Sequence, residues 1–257
     1  MAAGERRSAL ARTLRGGLEE RLALMAPSRR LRLACGEEAL ASFAAGRPVR
    51  VLDAGCGDGL LSLALAKRHP EWEIVGMDIR EDLLAGARER AANRGLGNVG
   101  FSQADLTKDL PESGFDVVMA LECLSEIPDD RAALGAMTGA LAPAGLFVMQ
   151  APEESWKPVL KSSDATWREE VRHGYSAAGL STALGDAGLE RIEVTPTYRA
   201  TAAAAQEIRD RIKDGPLPLR AAAFPAMLSA VRLERWGLTG GRPSALFATA
   251  RKPPSDG

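Results

Sequence analysis

The sequence predicts an α/β fold in which parallel strands alternate with helices, and three observations carry that prediction. Short apolar runs at residues 49–54, 73–78, 98–102, 115–121 and 145–150 have strand length. Helical patterns at 59–69, 81–94 and 129–141 lie between them, as right-handed crossovers between parallel strands require. Finally, 257 residues with 46% hydrophobic and 26% charged side chains suffice for one such sheet with a helical elaboration. The same composition excludes a disordered, collagen-like or disulfide-stapled chain.

Taken in order, the first strand ends in Asp53 and enters its helix through glycines, and the 129–141 pattern stops against Pro143 and Gly145. Residues 151–175 show no clear period. Ser176 then reads as the N-cap of a helix reaching about residue 187, followed by a sixth strand at 189–195. Helices are expected at 201–213 and 217–236, separated by Gly215, Pro216 and Pro218, and a closing strand at 245–250. The expected organisation is an N-terminal helical segment (1–47), an α/β core (48–195), a helical insertion or lid (196–243), and a closing strand with tail (244–257).

Charge narrows the function. With 33 basic and 34 acidic side chains the net charge is -1, so the whole chain is not drawn to nucleic acid. The charge is uneven, however: residues 1–35 carry 8 Arg against 3 Glu, and residues 196–257 carry 10 basic against 5 acidic groups. An acidic middle is therefore flanked by basic ends able to touch it. Peripheral membrane contact through the N-terminus and residues 217–236 stays open at this point, beside the commoner reading of solvated surface. Three scattered cysteines, no C-x-x-C pair and two histidines argue for a reducing compartment and against a metal site. No apolar run nears the roughly 18 residues that suggest a membrane span, and the N-terminus lacks a secretory apolar stretch. The expected location is cytoplasmic, and the expected state a monomer or homodimer.

The most informative stretch is VLDAGCGDG at 51–59. Gly55, Gly57 and Gly59 with Cys56 between them read as a loop bent around a bound molecule at a helix N-terminus, since glycine accepts positive φ and admits close approach. A dinucleotide fingerprint would need glycine where Leu60 or Ser62 stands. Asp53, two residues ahead of Gly55, would repel a pyrophosphate but favour an ammonium and a sulfonium, which is the charge pattern of S-adenosylmethionine.

On VLDAGCGDG the chain resembles the class I S-adenosylmethionine-dependent methyltransferases, in particular the small-molecule group of the ubiquinone and menaquinone biosynthesis type, over roughly residues 49–195. The resemblance implies a Rossmann-like, doubly wound seven-stranded sheet whose last strand is antiparallel, with S-adenosylmethionine as cofactor. Asp78, ending the second strand 19 residues beyond Gly59, is placed to accept from a ribose diol, and the family uses this position so. Ile79 would lie against adenine. Asp105 would accept from the adenine amino group, with Ala104, Leu106 and Leu121 completing the expected cofactor set. Asp105 also suits an N-cap of the following turn.

The stretch after the fourth strand departs from the family, because Ser125 and Glu126 replace its Glu-His pair. It also lacks the Asp- or Asn-Pro-Pro-Tyr motif of nucleobase-methylating relatives, which argues against a nucleobase acceptor. Candidate proton acceptors are His173, which titrates near neutrality, and Glu122 and Glu126. His69 reads as a helix C-terminal charge, and Tyr175 as a helix staple or a substrate contact. The expected function is methyl transfer to oxygen, carbon or nitrogen of a small, partly apolar molecule. Two alternatives are a catalytically silent cofactor-binding subunit and, disfavoured by the glycine spacing, a nicotinamide-dependent oxidoreductase.

Overall fold

A computed structural model describes residues 26–160 and 174–255. His173, Trp167 and residues 1–25 of the N-terminal segment lie outside the described residues. A seven-stranded sheet of order β3-β2-β1-β4-β5-β7-β6 is formed by β1 (Arg50–Ala54), β2 (Glu73–Asp78), β3 (Val99–Gln103), β4 (Phe115–Leu121), β5 (Leu141–Pro152), β6 (Glu190–Thr197) and β7 (Ala245–Arg251). The first five strands are parallel. β7 inserts between β5 and β6, antiparallel to both. The helices are α1 (Pro27–Ala44), α2 (Leu60–Arg68), α3 (Glu81–Asn93), α4 (Asp130–Ala140), α5 (Ala177–Asp186), α6 (Ala200–Ile212) and α7 (Leu217–Arg235), with a 3-10 turn at Leu124–Glu126.

The central strands are apolar throughout because both faces of the sheet are covered. Alternate residues serve opposite faces. Leu52, Val118 and Phe147 pack with Leu134, Met137 and Leu180 from α4 and α5, whereas Val51, Val117 and Val148 pack with Leu40 of α1 and Leu65 of α2. α1 therefore lies along one face of the sheet. The α6–α7 pair packs on α1, where Leu31 meets Tyr198, Ala202 and Val231.

One strand departs clearly from its expected bounds, and one helix keeps its bounds despite its prolines. β5 starts at Leu141 rather than at residue 145, because Leu141 pairs with Phe115 before the register shifts to Leu146 opposite Val117. The irregularity is absorbed by Ala144, at φ 61°. The helix α7 accommodates Pro218 in its first turn, where the missing N–H costs nothing, and it continues through Pro225. No helix of the described residues is long and apolar enough to cross a membrane.

At the carboxyl edge of the sheet, crossovers leave in opposite directions from β1 and β4, which makes the crevice typical of open α/β sheets. The glycine loop after β1 enters it. Gly59, the residue before α2, has φ +69°, and a Cβ there would lie 2.6 Å from Phe101 Cε1 and 2.8 Å from Ala87 Cβ. This glycine thus seats α2 against α3 and β3. We expect Gly59→Ala to lose about 2–4 kcal/mol in urea unfolding, from left-handed strain plus overpacking. Gly97→Ala, with open space around its Cβ, should change stability by about 0.5 kcal/mol or less.

Candidate functional site

The loop after β1 is held by β2 through backbone bonds, with Gly55 N and Cys56 N both donating to Met77 O at 2.8 and 3.0 Å. Gly57 N donates to Asp78 Oδ2 at 2.7 Å, and Arg80 N donates to Asp78 Oδ1 at 2.9 Å. The carboxylate at the end of β2 is thereby fixed by two amides, and each of its oxygens keeps capacity for a further donor.

The three glycines have different causes, although all have positive φ. A Cβ on Gly55 would lie 2.4 Å from Cys123 Cβ, so Gly55 admits the chain leaving β4. Gly59 admits Phe101. Only at Gly57 is there room, the nearest atom to an added Cβ being Arg80 Nη2 at 3.7 Å. The expectation of three glycines around a ligand is thus narrowed to one that faces open space and two that face the protein.

Asp53 is 3% exposed, and Ser62 Oγ of α2 donates to Asp53 Oδ2. Burial pushes its carboxyl up to about 6. The Ser62 hydrogen bond and the Arg32 charge act against that shift, and the charges of Asp78 and Asp58 add to it. The neighbouring thiols are pushed up as well, chiefly by burial and then by Asp53, Cys123 to about 12 and Cys56 beyond any ordinary thiol. Neither is poised as a nucleophile.

Beyond β4, Glu122 sits at φ 66°, a left-handed conformation that is unusual for Glu and marks a constrained site. Its amide donates to Gln150 O at 2.8 Å. Its carboxylate accepts from Gln150 Nε2 at 2.8 Å and pairs with Arg32 Nη2 at 3.1 Å. One turn earlier on α1, Arg29 Nη2 pairs with Asp58 Oδ2 of the glycine loop at 2.9 Å. The basic N-terminal region therefore does meet the acidic core, through the first turns of α1. Arg29 Nη1, Arg32 Nε and Gln150 Oε1 are buried without a hydrogen-bond partner among the described residues.

The remaining expected residues separate by exposure. Ile79 is 61% exposed beside Asp78, an apolar surface free to meet a flat ring. Ala104 N donates to Asp78 O at 3.1 Å. Asp105 accepts from Thr107 N and Oγ1 at 3.0 and 2.7 Å and pairs with Lys108 at 3.2 Å. These contacts, the Thr107 hydroxyl first, hold its carboxyl below the usual range. It therefore caps the turn, and an outer oxygen can still accept. The side chains of Leu106 and Leu121 are buried in the two core clusters, so only their backbone can face a ligand. Glu126 is exposed on the 3-10 turn, and His173 lies outside the described residues.

Other expectations are corrected. His69 stacks on Trp72 with centroids 3.7 Å apart and bonds Glu37 at 3.0 Å, so it packs rather than merely adding charge at a helix end. Tyr175 is buried and donates to Asp130 Oδ2 at 2.5 Å, tying α5 to α4. Trp236, just past α7, is 69% exposed. The residues the motif reading missed are Ser62, Arg29, Arg32 and Gln150. Two signals existed: the arginines are three apart on one helix face, and Gln150 is polar within an apolar strand.

A family model described as a methyltransferase domain matches residues 46–192. Trans-aconitate 2-methyltransferase of Methylobacterium nodulans is 35% identical over 119 residues, 46% of this chain and 44% of that one. The chain spans about half the length of the curated relatives it matches. Among solved structures, a phosphoethanolamine N-methyltransferase 2 of Haemonchus contortus in complex with S-adenosyl-L-methionine has TM-score 0.61 at 20% identity, covering 84% of this chain and 51% of that one. The [4+2]-cyclase SpnF also has TM-score 0.61, at 24% identity, covering 85% of this chain and 80% of that one. At such identities both structures speak for the fold alone.

The raised Asp53 carboxyl gives a stability test. Asp53 binds its proton more tightly in the folded chain than at its ordinary value of 3.8. Its contribution is therefore full below that value and is lost as pH rises through about 6. Asp53→Asn should gain on wild type by roughly 2 kcal/mol between pH 4 and 7 in urea unfolding. A gap independent of pH would show that Asp53 is not held protonated by its burial.

Proposed function

The chain belongs to the methyltransferase-domain family, and on that premise we propose that it binds S-adenosylmethionine at the carboxyl edge of β1, β2 and β4 and transfers the methyl group to a small molecule. The observation that carries this reading is the joint geometry of Gly57 and Asp78, in which the Gly57 amide donates a hydrogen bond to the carboxylate and Gly57 is the loop glycine that opens outward. Asp78 would take the ribose diol, exposed Ile79 one face of adenine, and Asp105 with the backbone of Ala104 and Leu106 the adenine edge. Asp53, Cys56, Gly55, Gly59 and Leu121 would shape the floor around them.

The residues fit a cationic nucleoside better than a pyrophosphate. Asp53, Asp58, Asp78 and Glu122 gather at this edge, and two of them are already balanced by Arg29 and Arg32. The bound cofactor supplies a methyl on sulfonium sulfur, whose leaving group departs neutral. The chain's part is accordingly to align an acceptor and keep water out, and to remove a proton where the acceptor is a hydroxyl. Of the proposed proton acceptors, Glu122 is engaged by Arg32 and Gln150, and Glu126 is exposed on the turn beside it. His173 remains a third proposal. The names of the curated relatives make trans-aconitate the first acceptor to assay, although a fold shared with a cyclase means that fold alone does not set the reaction.

Calorimetry tests the reading. Wild type should bind S-adenosylhomocysteine and not NAD. Asp78→Ala should weaken binding about 10- to 100-fold through loss of charge-assisted hydrogen bonds. Gly57→Val should abolish it while leaving the fold largely intact. Binding of NAD in place of the sulfur nucleoside would overturn the proposal. Cofactor binding with no methyl transfer to any of a panel of carboxylates, phenols and amines would favour a silent binding subunit.

A further inference from the structure

From Gly215 to Ser255 the chain carries one acidic side chain, Glu234, against Arg220, Arg232, Arg235, Arg242, Arg251 and Lys252. That acid is spent within the fold, because Glu234 accepts from Arg199 N at 3.1 Å and from Thr239 Oγ1 at 2.6 Å. The outward charges of α7, those of Arg232 and Arg235, are therefore of one sign.

α7 buries Met227, Ala230 and Val231 in its packing against α1 and α6. Its other face, at helical spacing, reads Leu219, Ala222, Ala226, Ser229, Leu233 and then Trp236 just past the end, and all six are exposed. The helix stops in a Schellman turn. Gly237 has φ +67° and its N donates to Glu234 O at 3.0 Å, while Leu238 N donates to Leu233 O at 2.9 Å. On this turn Trp236 and Leu238 are 69% and 68% exposed and Leu233 is 37% exposed. A hydrogen-bonded turn, pinned further by Glu234, thus holds a tryptophan and two leucines out in water, which is unfavourable until something apolar covers them.

Basic groups ring this projection. Arg232 and Arg235 are exposed beside it, and Arg30 is exposed on α1. Burial, and then the charges of Arg68, Arg232 and Arg235, hold the Arg30 guanidinium below its ordinary value, so the four arginines act on one another. Their acidic contacts among the described residues are Glu37, paired with Arg68, and Glu38, 3.9 Å from Arg235 and 77% exposed. The excess is positive. Tryptophan and leucine projecting from a basic rim match the boundary of an anionic bilayer, where the ring lies among headgroups and each arginine gains from the surface potential. A second copy of the chain fits this face less well, since Ala222, Ala226 and Ser229 along its middle offer little area for a seam.

We propose that the end of α7 is a docking surface for an anionic lipid bilayer, with Leu233, Trp236 and Leu238 entering the headgroup region and Arg30, Arg232 and Arg235 meeting the lipid phosphates. The proposal is independent of the methyltransferase reading, because it concerns a surface outside the glycine-loop crevice and needs no cofactor.

The test is flotation of the full chain with vesicles of equal parts phosphatidylcholine and phosphatidylglycerol, against vesicles of phosphatidylcholine alone. Wild type should float with the anionic vesicles only, and less so as salt is raised. Trp236→Ala with Leu238→Ser should weaken binding at least about 10-fold through lost apolar insertion. Arg232→Gln and Arg235→Gln should each cost about 5-fold at low salt, whereas Arg232→Lys with Arg235→Lys should retain most of the affinity, since lipid phosphates are met here as charge. Urea unfolding should be nearly unchanged in every variant, these side chains being exposed. Wild type that ignores anionic vesicles, or binds neutral ones equally well, overturns the proposal. So does vesicle binding that survives both sets of substitutions, which would place lipid contact elsewhere on the chain. A dimer in sedimentation that Trp236→Ala dissociates, without vesicle binding by wild type, would assign the face to a second copy and overturn it as well.

Discussion

The hydrogen bond from the Gly57 amide to the Asp78 carboxylate ties together the two strand ends on which the site depends. It bends the loop after β1 across the end of β2, and it aims the carboxylate along the sheet edge rather than into solvent. The bond forms only if residue 57 adopts φ +55°, which for a side-chain-bearing residue is strained. It also forms only if β2 ends one residue beyond the pairing of Ala54 with Met77. Sequence, register and site geometry therefore meet in one contact.

Around that contact the charge distribution is one-sided. Four carboxylates lie near the crevice, and the counter-charges come from outside the α/β core, from the first turns of α1. α1 can supply them because its apolar face is fixed on the sheet by Leu33, Leu40 and Ala44 and its outer side by the α6–α7 pair through Leu31. The helical additions at both ends of the chain thus do electrostatic work at an edge that the core alone would leave strongly acidic. A cation enters such an edge readily, and an anion only next to the arginines.

The fold was legible because short apolar runs of strand length and proline- or glycine-terminated helices repeat with little irregularity. Departures came where a local rule yielded to pairing, as at Ala144, whose left-handed φ lets β5 begin four residues early. The glycine loop was legible as a motif, but its division of labour was not. Gly55 and Gly59 look the same as Gly57 in the sequence, yet they are required by Cys123 and Phe101, which lie far along the chain. Asp53 illustrates the same limit. Its charge was legible at the end of the first strand, but its burial and the hydrogen bond from Ser62 were not. Arg29, Arg32 and Gln150 belong to no motif, and their convergence on Asp58 and Glu122 depends on α1 running along the sheet face, which no local pattern encodes.

The most direct test of the central claim is a crystal structure of the chain soaked with S-adenosylhomocysteine. The account predicts a ribose whose two hydroxyls donate to Asp78 while the Gly57 amide keeps its bond to the same carboxylate, with adenine against Ile79. A nucleoside bound elsewhere on the molecule, or an Asp78 carboxylate with no ribose upon it, would contradict the account.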